Sequence, residues 1–512
     1  MAAPLPVSDH QPLRDRQRLC AAGGEDRLGS LPDEMIHLVL RRLDTRSALA
    51  TAALSRRWAR LPRELPVLEF KVRDVLPERY RRYLRRRTEV VNLCRTPITK
   101  IKKLDSLLAR YERRGMRSLA DSLAGFLDAD DSIEPHRRVQ RVSLETFPTH
   151  NPGSLNRLIA TAIGRWGVED LEVVVLNPDA RHGAASYSFP HRCLDAHLAD
   201  VGKAKLKTLR LSNCAPHALG LDANLPPSRA FTALAMLVLQ DMPTSTRRCV
   251  YEGVISACPA LEVLHLRSCG CHRRCLVVDA PGSRITELLI ELTGDTLGMI
   301  DLRALPRLER LTCMGAPLQL KFGSVPRLAR LNLTYDEDAS TIAPDVGHAE
   351  PHRAAVGKLK RLLVADMPPS WDITWTRYLL EVAPLLETLH IHVAVDDDDA
   401  GSVGAVACKL IRWPPSSSEF KHRRLGEVVV CGFEGTWRQV HFVRFLRRAC
   451  TALRDVVLLR HGRVREKGFW DWEMVAANHG WQWTEAERRS VMRKIEVGAD
   501  AIACCTSRIV LG

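Results

Sequence analysis

One hexapeptide recurs along most of the chain. Leucine, or another aliphatic residue, returns with the spacing Leu-x-x-Leu-x-Leu. It appears first at Val139, Val142 and Leu144, and then from Leu171, Leu206, Leu234, Leu261, Ile285, Leu308, Leu328, Leu359, Leu386, Leu425 and Leu453. The starts are as close as 20 residues, Leu308 to Leu328, and as far apart as 39, Leu386 to Leu425. A unit of this length holds one short strand and cannot bury its aliphatic face alone. Stacked units can, so the pattern predicts a solenoid with a continuous core and a curved parallel sheet, a horseshoe of α/β class. The longer intervals hold insertions. Proline two residues before several starts, as in Pro259-Ala260-Leu261, Pro306-Arg307-Leu308, Pro326-Arg327-Leu328 and Pro384-Leu385-Leu386, sets the approach to each strand.

Alternation along a strand sends template positions 3, 5 and 7 to the concave side of such a sheet. Position 3 is Arg310, Arg330 and Arg361 in successive units, and position 7 of an earlier unit is Arg267. Neighbouring strands lie about 4.8 Å apart, so the three guanidinium groups are expected to form a ladder. The plain reading is a solubilising surface. The functional reading is an anion site for an acidic or phosphorylated target.

Ahead of the repeats the apolar periodicity is helical. Residues 1–24, with Pro4, Pro6 and Pro12 among polar neighbours, are expected to be a disordered tail. Ser30 is placed to cap a helix, with Asp33 in the reciprocal position, and Ile36, Val39, Leu40 and Leu43 form its apolar stripe. Asp44 or Thr45 can cap a second helix, and Ser55 a third that turns Trp58 and Leu61 inward. Three short helices bury too little surface to be comfortable alone, which calls for a partner.

The 75 basic and 60 acidic residues leave a net charge of +15. Residues 71–117 alone hold 16 basic and 5 acidic side chains, a net of +11. The densest clusters are Arg81-Arg82-Tyr83-Leu84-Arg85-Arg86-Arg87 and Lys100-Ile101-Lys102-Lys103. With Leu104, Leu107 and Leu108 at helical spacing, 71–137 reads as a basic helical linker: a solvated face, an import signal or an acid-binding surface. A nucleic-acid-binding or nuclear scaffold protein is the alternative function. Aromatics make up only 5% of the chain and no base-reading motif is present, which weighs against nucleic acid as a partner.

No uncharged apolar run is long enough to cross a membrane and no secretory signal pattern opens the chain, so no membrane partner is expected. The 15 cysteines lack even spacing and suit a reducing nucleus or cytoplasm, with Cys258, Cys313 and Cys431 as buried free thiols. Motifs for phosphate-binding loops, zinc proteases and serine hydrolases are absent. Cys269-Gly270-Cys271-His272-x-x-Cys275 has metal-binding residue types without a familiar spacing, the adjacent Cys504-Cys505 is too strained for an ordinary disulfide, and Asp396–Asp399 lacks the alternation of a calcium loop. No catalytic residue, metal or cofactor is expected.

Two stretches resemble a known family. Residues 26–70, from Asp26-Arg27-Leu28-Gly29-Ser30-Leu31-Pro32-Asp33-Glu34 through Leu54-Ser55-Arg56-Arg57-Trp58 to Leu65-Pro66-Val67-Leu68-Glu69-Phe70, resemble a plant F-box. Asp44 departs from it, standing where the family has proline. The later region resembles the leucine-rich repeats that follow such F-boxes. Cys258-Pro259-Ala260-Leu261-Glu262-Val263-Leu264-His265-Leu266 carries that likeness, and 421–459 looks like an FBD-type segment. The resemblance implies a three-helix F-box at 25–70, repeats over 138–420, and FBD-like final repeats with a C-terminal cap over 421–512. The cap would hold Trp470, Trp472, Trp481, Trp483 and a helix near Thr484–Ile495. It further implies docking on a Skp-type adaptor, and through it a cullin scaffold, by Leu31, Pro32, Ile36, Leu40, Leu43, Leu54, Ser55 and Trp58. The chain would be the non-catalytic substrate receptor of a ubiquitin ligase.

Overall fold

The computed structural model describes residues 30–92, 98–131, 137–149, 151–176, 187–189, 205–215, 231–243, 246–271, 274–292, 298–315, 319–334, 356–367, 380–394, 420–466, 472–476, 483–496 and 507–512. The tail 1–24, His272, Asp396–Asp399, Trp470, Trp481 and Cys504-Cys505 lie outside the described residues. The chain divides into two compact units, Met1–Leu65 and Pro66–Gly512.

Among its described residues, the first unit holds helices α1 (Asp33–Leu40), α2 (Thr45–Ala50) and α3 (Arg56–Arg60) and two short 3-10 turns. Pro32, not Ser30, is the N-cap residue of α1, and no side chain caps that helix. Asp33 holds Arg57 instead, whose Nε donates to its carboxylate at 2.7 Å. Asp44 does cap α2, accepting from the Ser47 amide at 2.9 Å, and Ser55 caps α3, accepting from the Trp58 amide at 3.3 Å.

In the second unit, strands are numbered in chain order: β1 (Val67–Lys71), β2 (Arg141–Thr146), β3 (Asp170–Val175), β4 (Tyr187–Ser188), β5 (Thr208–Ser212), β6 (Cys214–Ala215), β7 (Met236–Gln240), β8 (Val263–Arg267), β9 (Cys275–Asp279), β10 (Glu287–Glu291), β11 (Met299–Ala304), β12 (Arg310–Met314), β13 (Gln319–Ser324), β14 (Arg330–Thr334), β15 (Arg361–Met367), β16 (Thr388–Val393), β17 (Glu427–Cys431), β18 (Asp455–Leu459), β19 (Gly462–Glu466), β20 (Trp472–Ala476) and β21 (Arg508–Leu511). Among the described residues, 14 of these form one all-parallel sheet in the order β1-β2-β3-β5-β7-β8-β10-β12-β14-β15-β16-β17-β18-β21. Its register aligns template position 4 throughout, with Leu264 opposite Leu237 and Leu288, and Leu331 opposite Leu311 and Leu362. These leucines are buried, as are those at positions 1 and 6.

That register corrects the sequence reading in two places. Leu171 pairs with Val142 and Leu209, so it fills position 4, and Val168 is the start of that unit. The sheet also begins earlier than Val139. Leu68 pairs with Val142, which makes Val67–Lys71 the first strand rather than the end of the helical segment.

Between β1 and β2 lie α4 (Glu78–Asn92) and α5 (Ile98–Asp131). The stretch read as a linker is therefore a crossover inside the second unit. Tyr80 donates to Glu112 at 3.1 Å and Arg87 to Asp105 at 2.7 Å, so the two helices run antiparallel. The inner face of α5 carries Leu108, Met116, Leu119, Leu123 and Leu127, all buried. Phe126 meets Phe70 of β1 with ring centroids 5.4 Å apart, and the Thr146 hydroxyl and the Phe147 amide both contact the Met116 sulfur at 3.2 Å. The pair thus caps the first edge of the sheet, which a solenoid needs because its terminal unit otherwise exposes core.

Unit length selects the return element. Longer units return through helices: α6 (Gly153–Thr161), α7 (Arg248–Ala257) and α8 (Trp437–Ala449). The short units between Leu261 and Leu328 have no room for a helix and return through β9, β11 and β13, which pair as a second parallel sheet. Several tight turns into a strand close by a position-1 amide donating three residues back. Examples are Leu261 to Cys258 at 3.1 Å and Leu308 to Leu305 at 3.2 Å, with Pro259 and Pro306 second in those turns, where their fixed φ fits. The residue after several strands adopts positive φ: Asn213, Asp241, Ser268, Gly315 and Gly432; Asp366 does so inside β15, where the register with β16 shifts. Gly315 is required there, since a Cβ would stand 2.2 Å from the Leu292 carbonyl oxygen.

Candidate functional site

The first unit sorts the eight F-box residues into two groups. Ile36, Leu40 and Trp58 are buried within it, and they hold the helices together rather than facing a partner. Leu31 is half-buried, and Pro32, Leu43, Leu54 and Ser55 are exposed. Ser55 spends its hydroxyl on the α3 cap. The outward apolar surface is completed on α1 by Val39 of the helical stripe, exposed at 42%, and by two residues that the stripe did not select, Met35 and Leu38, exposed at 49% and 54%. With Leu54 at 65% they leave a large apolar area open on a small unit.

On the sheet, the arginine ladder is in the predicted register: Arg310 pairs with Arg330, and Arg330 with Arg361. Its members are nonetheless engaged within the chain. Arg310 bridges Glu287 at 2.5 Å, Arg267 bridges Glu291 at 3.5 Å, and the Arg361 Nη2 donates to the Trp472 carbonyl at 2.9 Å. Arg330 is the exposed member. Further back along the face, Arg141 meets Glu172 at 3.1 Å and Asp170 at 3.5 Å, and Arg210 meets Asp170 at 3.1 Å. The concave charges balance one another across neighbouring strands.

The contact from Arg361 reveals a feature absent from the sequence reading. Strands β19 and β20 form an antiparallel hairpin laid against the concave side at β16 and β17. Trp472 is buried there among Leu363 and Ala365, with Met314, Val464 and Met474 around it. Val429, Cys431 and Leu459 form a second cluster under Met474. Gly462 permits the close approach, for a Cβ at that site would lie 2.3 Å from the Cys431 sulfur. Trp472 therefore covers part of the inner face of the sheet rather than its open end; β21 continues the sheet beyond β18. The signal was present in sequence. Positions 5 and 7 are largely polar in early units, as at Glu172, Arg210 and Gln240, and turn apolar at Leu363, Ala365, Val429 and Cys431.

The predicted helix near Thr484 is α9 (Glu485–Glu496), capped where the Glu487 amide donates to the Thr484 hydroxyl at 3.3 Å. Beside it Arg460 stacks over the Trp483 ring, 5.2 Å from the centroid.

Among ionisable groups on the concave face, His265 lies between Val238 and Leu289 and is fully buried. Burial first, and then the nearby Arg267 and Arg210 charges, lower its pKa to about 4. His390 is also lowered by burial, partly opposed by its 2.9 Å contact with Glu427. Burial pushes the thiols of Cys258, Cys269, Cys313 and Cys431 up to about 12, so they behave as small apolar groups. Cys269 donates to the Leu239 carbonyl and Cys271 to that of Cys275, each at 3.2 Å. Among the described residues no group of histidine, cysteine or carboxylate side chains is arranged to hold a metal ion.

Comparisons with known proteins agree with both units. Residues 28–70 match the F-box domain model, and residues 167–391 match the model for the repeats of "FBD-associated F-box protein At5g56370, LRR repeats". The "F-box/FBD/LRR-repeat protein At5g53840" of Arabidopsis thaliana is 37% identical over 65 residues, which is 12% of this chain and 15% of that protein. The three-helix unit and the parallel repeat sheet fit these matches: the chain carries an F-box domain followed by leucine-rich repeats of the FBD-associated F-box type.

Proposed function

We propose that the chain is the substrate receptor of a Skp–cullin–F-box ubiquitin ligase. The helical unit docks on a Skp-type adaptor, and the repeat unit presents the target. The observation that carries this reading is the exposed apolar set Met35, Leu38, Val39, Leu43 and Leu54 on an undersized domain. Such a surface costs solubility unless a partner covers it, and clustered apolar side chains supply the anchors of stable interfaces. The chain contributes no chemistry in this scheme. It raises the effective concentration of a target lysine near a ubiquitin conjugate held by partner proteins. Among the concave arginines, Arg330 is the one best placed to meet an acidic or phosphorylated target.

The test is pull-down of a purified Skp-type adaptor by the full chain. Leu38→Asp with Leu54→Asp should abolish capture while circular dichroism is unchanged, and Leu31→Ala with Pro32→Ala should weaken it. Undiminished capture by the folded aspartate double variant would falsify this reading.

A further inference from the structure

The α4–α5 pair presents a second surface, and its charge is organised differently from that of the concave face. On the outward side of α5, Lys103, Arg110, Arg114 and Arg117 are exposed and recur along one stripe. They form no ion pair among the described residues. Arg82 and Arg86 of α4 are exposed and form no ion pair among the described residues. Glu78 is taken up by Arg81 and Arg85, at 3.7 and 3.4 Å, and Glu89 is the remaining exposed acid of α4. Asp121, one turn past Arg117, ends the stripe.

We propose that this face docks the phosphate backbone of a nucleic-acid duplex without reading base sequence. From Lys103 to Arg117 the row spans about 21 Å at 1.5 Å per residue, the length of roughly six base-pair steps. Like charges held in one row repel, and a line of phosphates relieves that repulsion while releasing condensed counterions. Guanidinium groups hold a phosphate in a two-point fork. An acidic protein partner fits less well, because protein interfaces gain most of their energy from buried apolar or aromatic anchors. Among the described residues of this helical pair, the exposed large apolar ones are Val91 and Ile98, near the C-terminus of α4 and at the start of α5. Lack of aromatic platforms argues against base reading; backbone binding needs none. The proposal stands apart from the adaptor reading, which concerns the other unit.

The test measures anisotropy of short random-sequence DNA duplexes titrated with the full chain over a range of salt. Binding should be equal across sequences and weaken steeply with salt. The variant Lys103→Glu/Arg110→Glu/Arg114→Glu/Arg117→Glu should bind more than about a hundredfold more weakly, with a salt slope smaller by about 3–4 at roughly 0.9 per contact. The milder glutamine set should lose a similar slope, and adaptor capture should be unchanged in both. No binding at low salt, or an unaltered slope in a folded glutamine variant, overturns the proposal. So does tighter binding of a poly-glutamate peptide than of a duplex, which assigns the face to an acidic protein instead.

Discussion

Two parts of the repeat unit are rich in arginine, and they handle charge in opposite ways. On the concave face, Arg141, Arg210, Arg267 and Arg310 each bridge a carboxylate on the adjacent strand, and Arg361 is held by the carbonyl of Trp472. On the α4–α5 pair, a row about 21 Å long carries cations with few acids beside them. The difference follows from topology. Parallel neighbours in register bring side chains from distant sequence positions to about 4.8 Å, so an acid in one unit meets a base in the next. A helical stripe brings together only residues of one local stretch, and here that stretch is basic. Charge density along the sequence marks the helical row, whereas the recurrence of arginine at one template position marks a set that is already paired.

If concave groups are structural, removing one should cost stability. The largest effect is expected at Trp472, buried over Leu363 and Ala365. Trp472→Ala should lower stability by about 3–5 kcal/mol, the usual cost of truncating a buried large aromatic. Hydrogen exchange should show the loss concentrated in β15–β17 and the hairpin. A variant with unchanged exchange there would mean that the hairpin rests on the sheet without supporting it.

A smaller effect belongs to pH. His265 has an ordinary pKa of 6.5 in the unfolded chain and about 4 in the fold. Below 6.5 the unfolded state takes up a proton that the native state refuses, so stability falls as pH drops. The loss levels off once the native imidazole also protonates near 4. A shift of this size corresponds to about 3 kcal/mol at most. Urea midpoints should decline between pH 7 and 4 in the native sequence and decline less in His265→Gln. Equal slopes in both would remove His265 as the cause.

How much of this could be seen in the sequence depends on where the determining contacts lie. The template found most strands because positions 1, 4 and 6 are local and aliphatic. It missed the first, where Leu65, Leu68 and Phe70 fit the spacing but were absorbed into the F-box motif. It missed the last, Arg508–Leu511, because one short strand carries little signal. It slipped by three residues at Leu171, where Val168, Leu171 and Val173 satisfy one frame and Leu171, Val174 and Leu176 satisfy another. The F-box face was half legible for a related reason. The α1 sequence Asp-Glu-Met-Ile-His-Leu-Val-Leu is apolar on two sides, so periodicity finds Ile36 and Leu40 equally with Met35, Leu38 and Val39 and cannot say which set faces inward. The hairpin contact of Trp472 with Arg361 spans 111 positions, beyond any local pattern.

The smallest effects give the sharpest separation of the two rows, because they differ in sign. Arg310 is partly exposed and bridges Glu287, whose side chain is only 12% exposed. Arg310→Gln leaves that carboxylate short of one cation in a sheltered place, and should destabilise by about 0.5–1 kcal/mol. Arg114→Gln removes one charge from a row of like charges and breaks no ion pair among the described residues. Its melting midpoint should stay level or rise slightly, with the gain shrinking as salt screens the repulsion. Glutamine keeps a long unbranched stem and a helix propensity close to that of arginine, so neither change is confounded by backbone preference at the helical site. Thermal scans of both variants at low and high salt provide the measurement. A destabilised Arg114→Gln would show that the helical row is held by contacts within the chain, as the concave row is, and the contrast between the two surfaces would disappear.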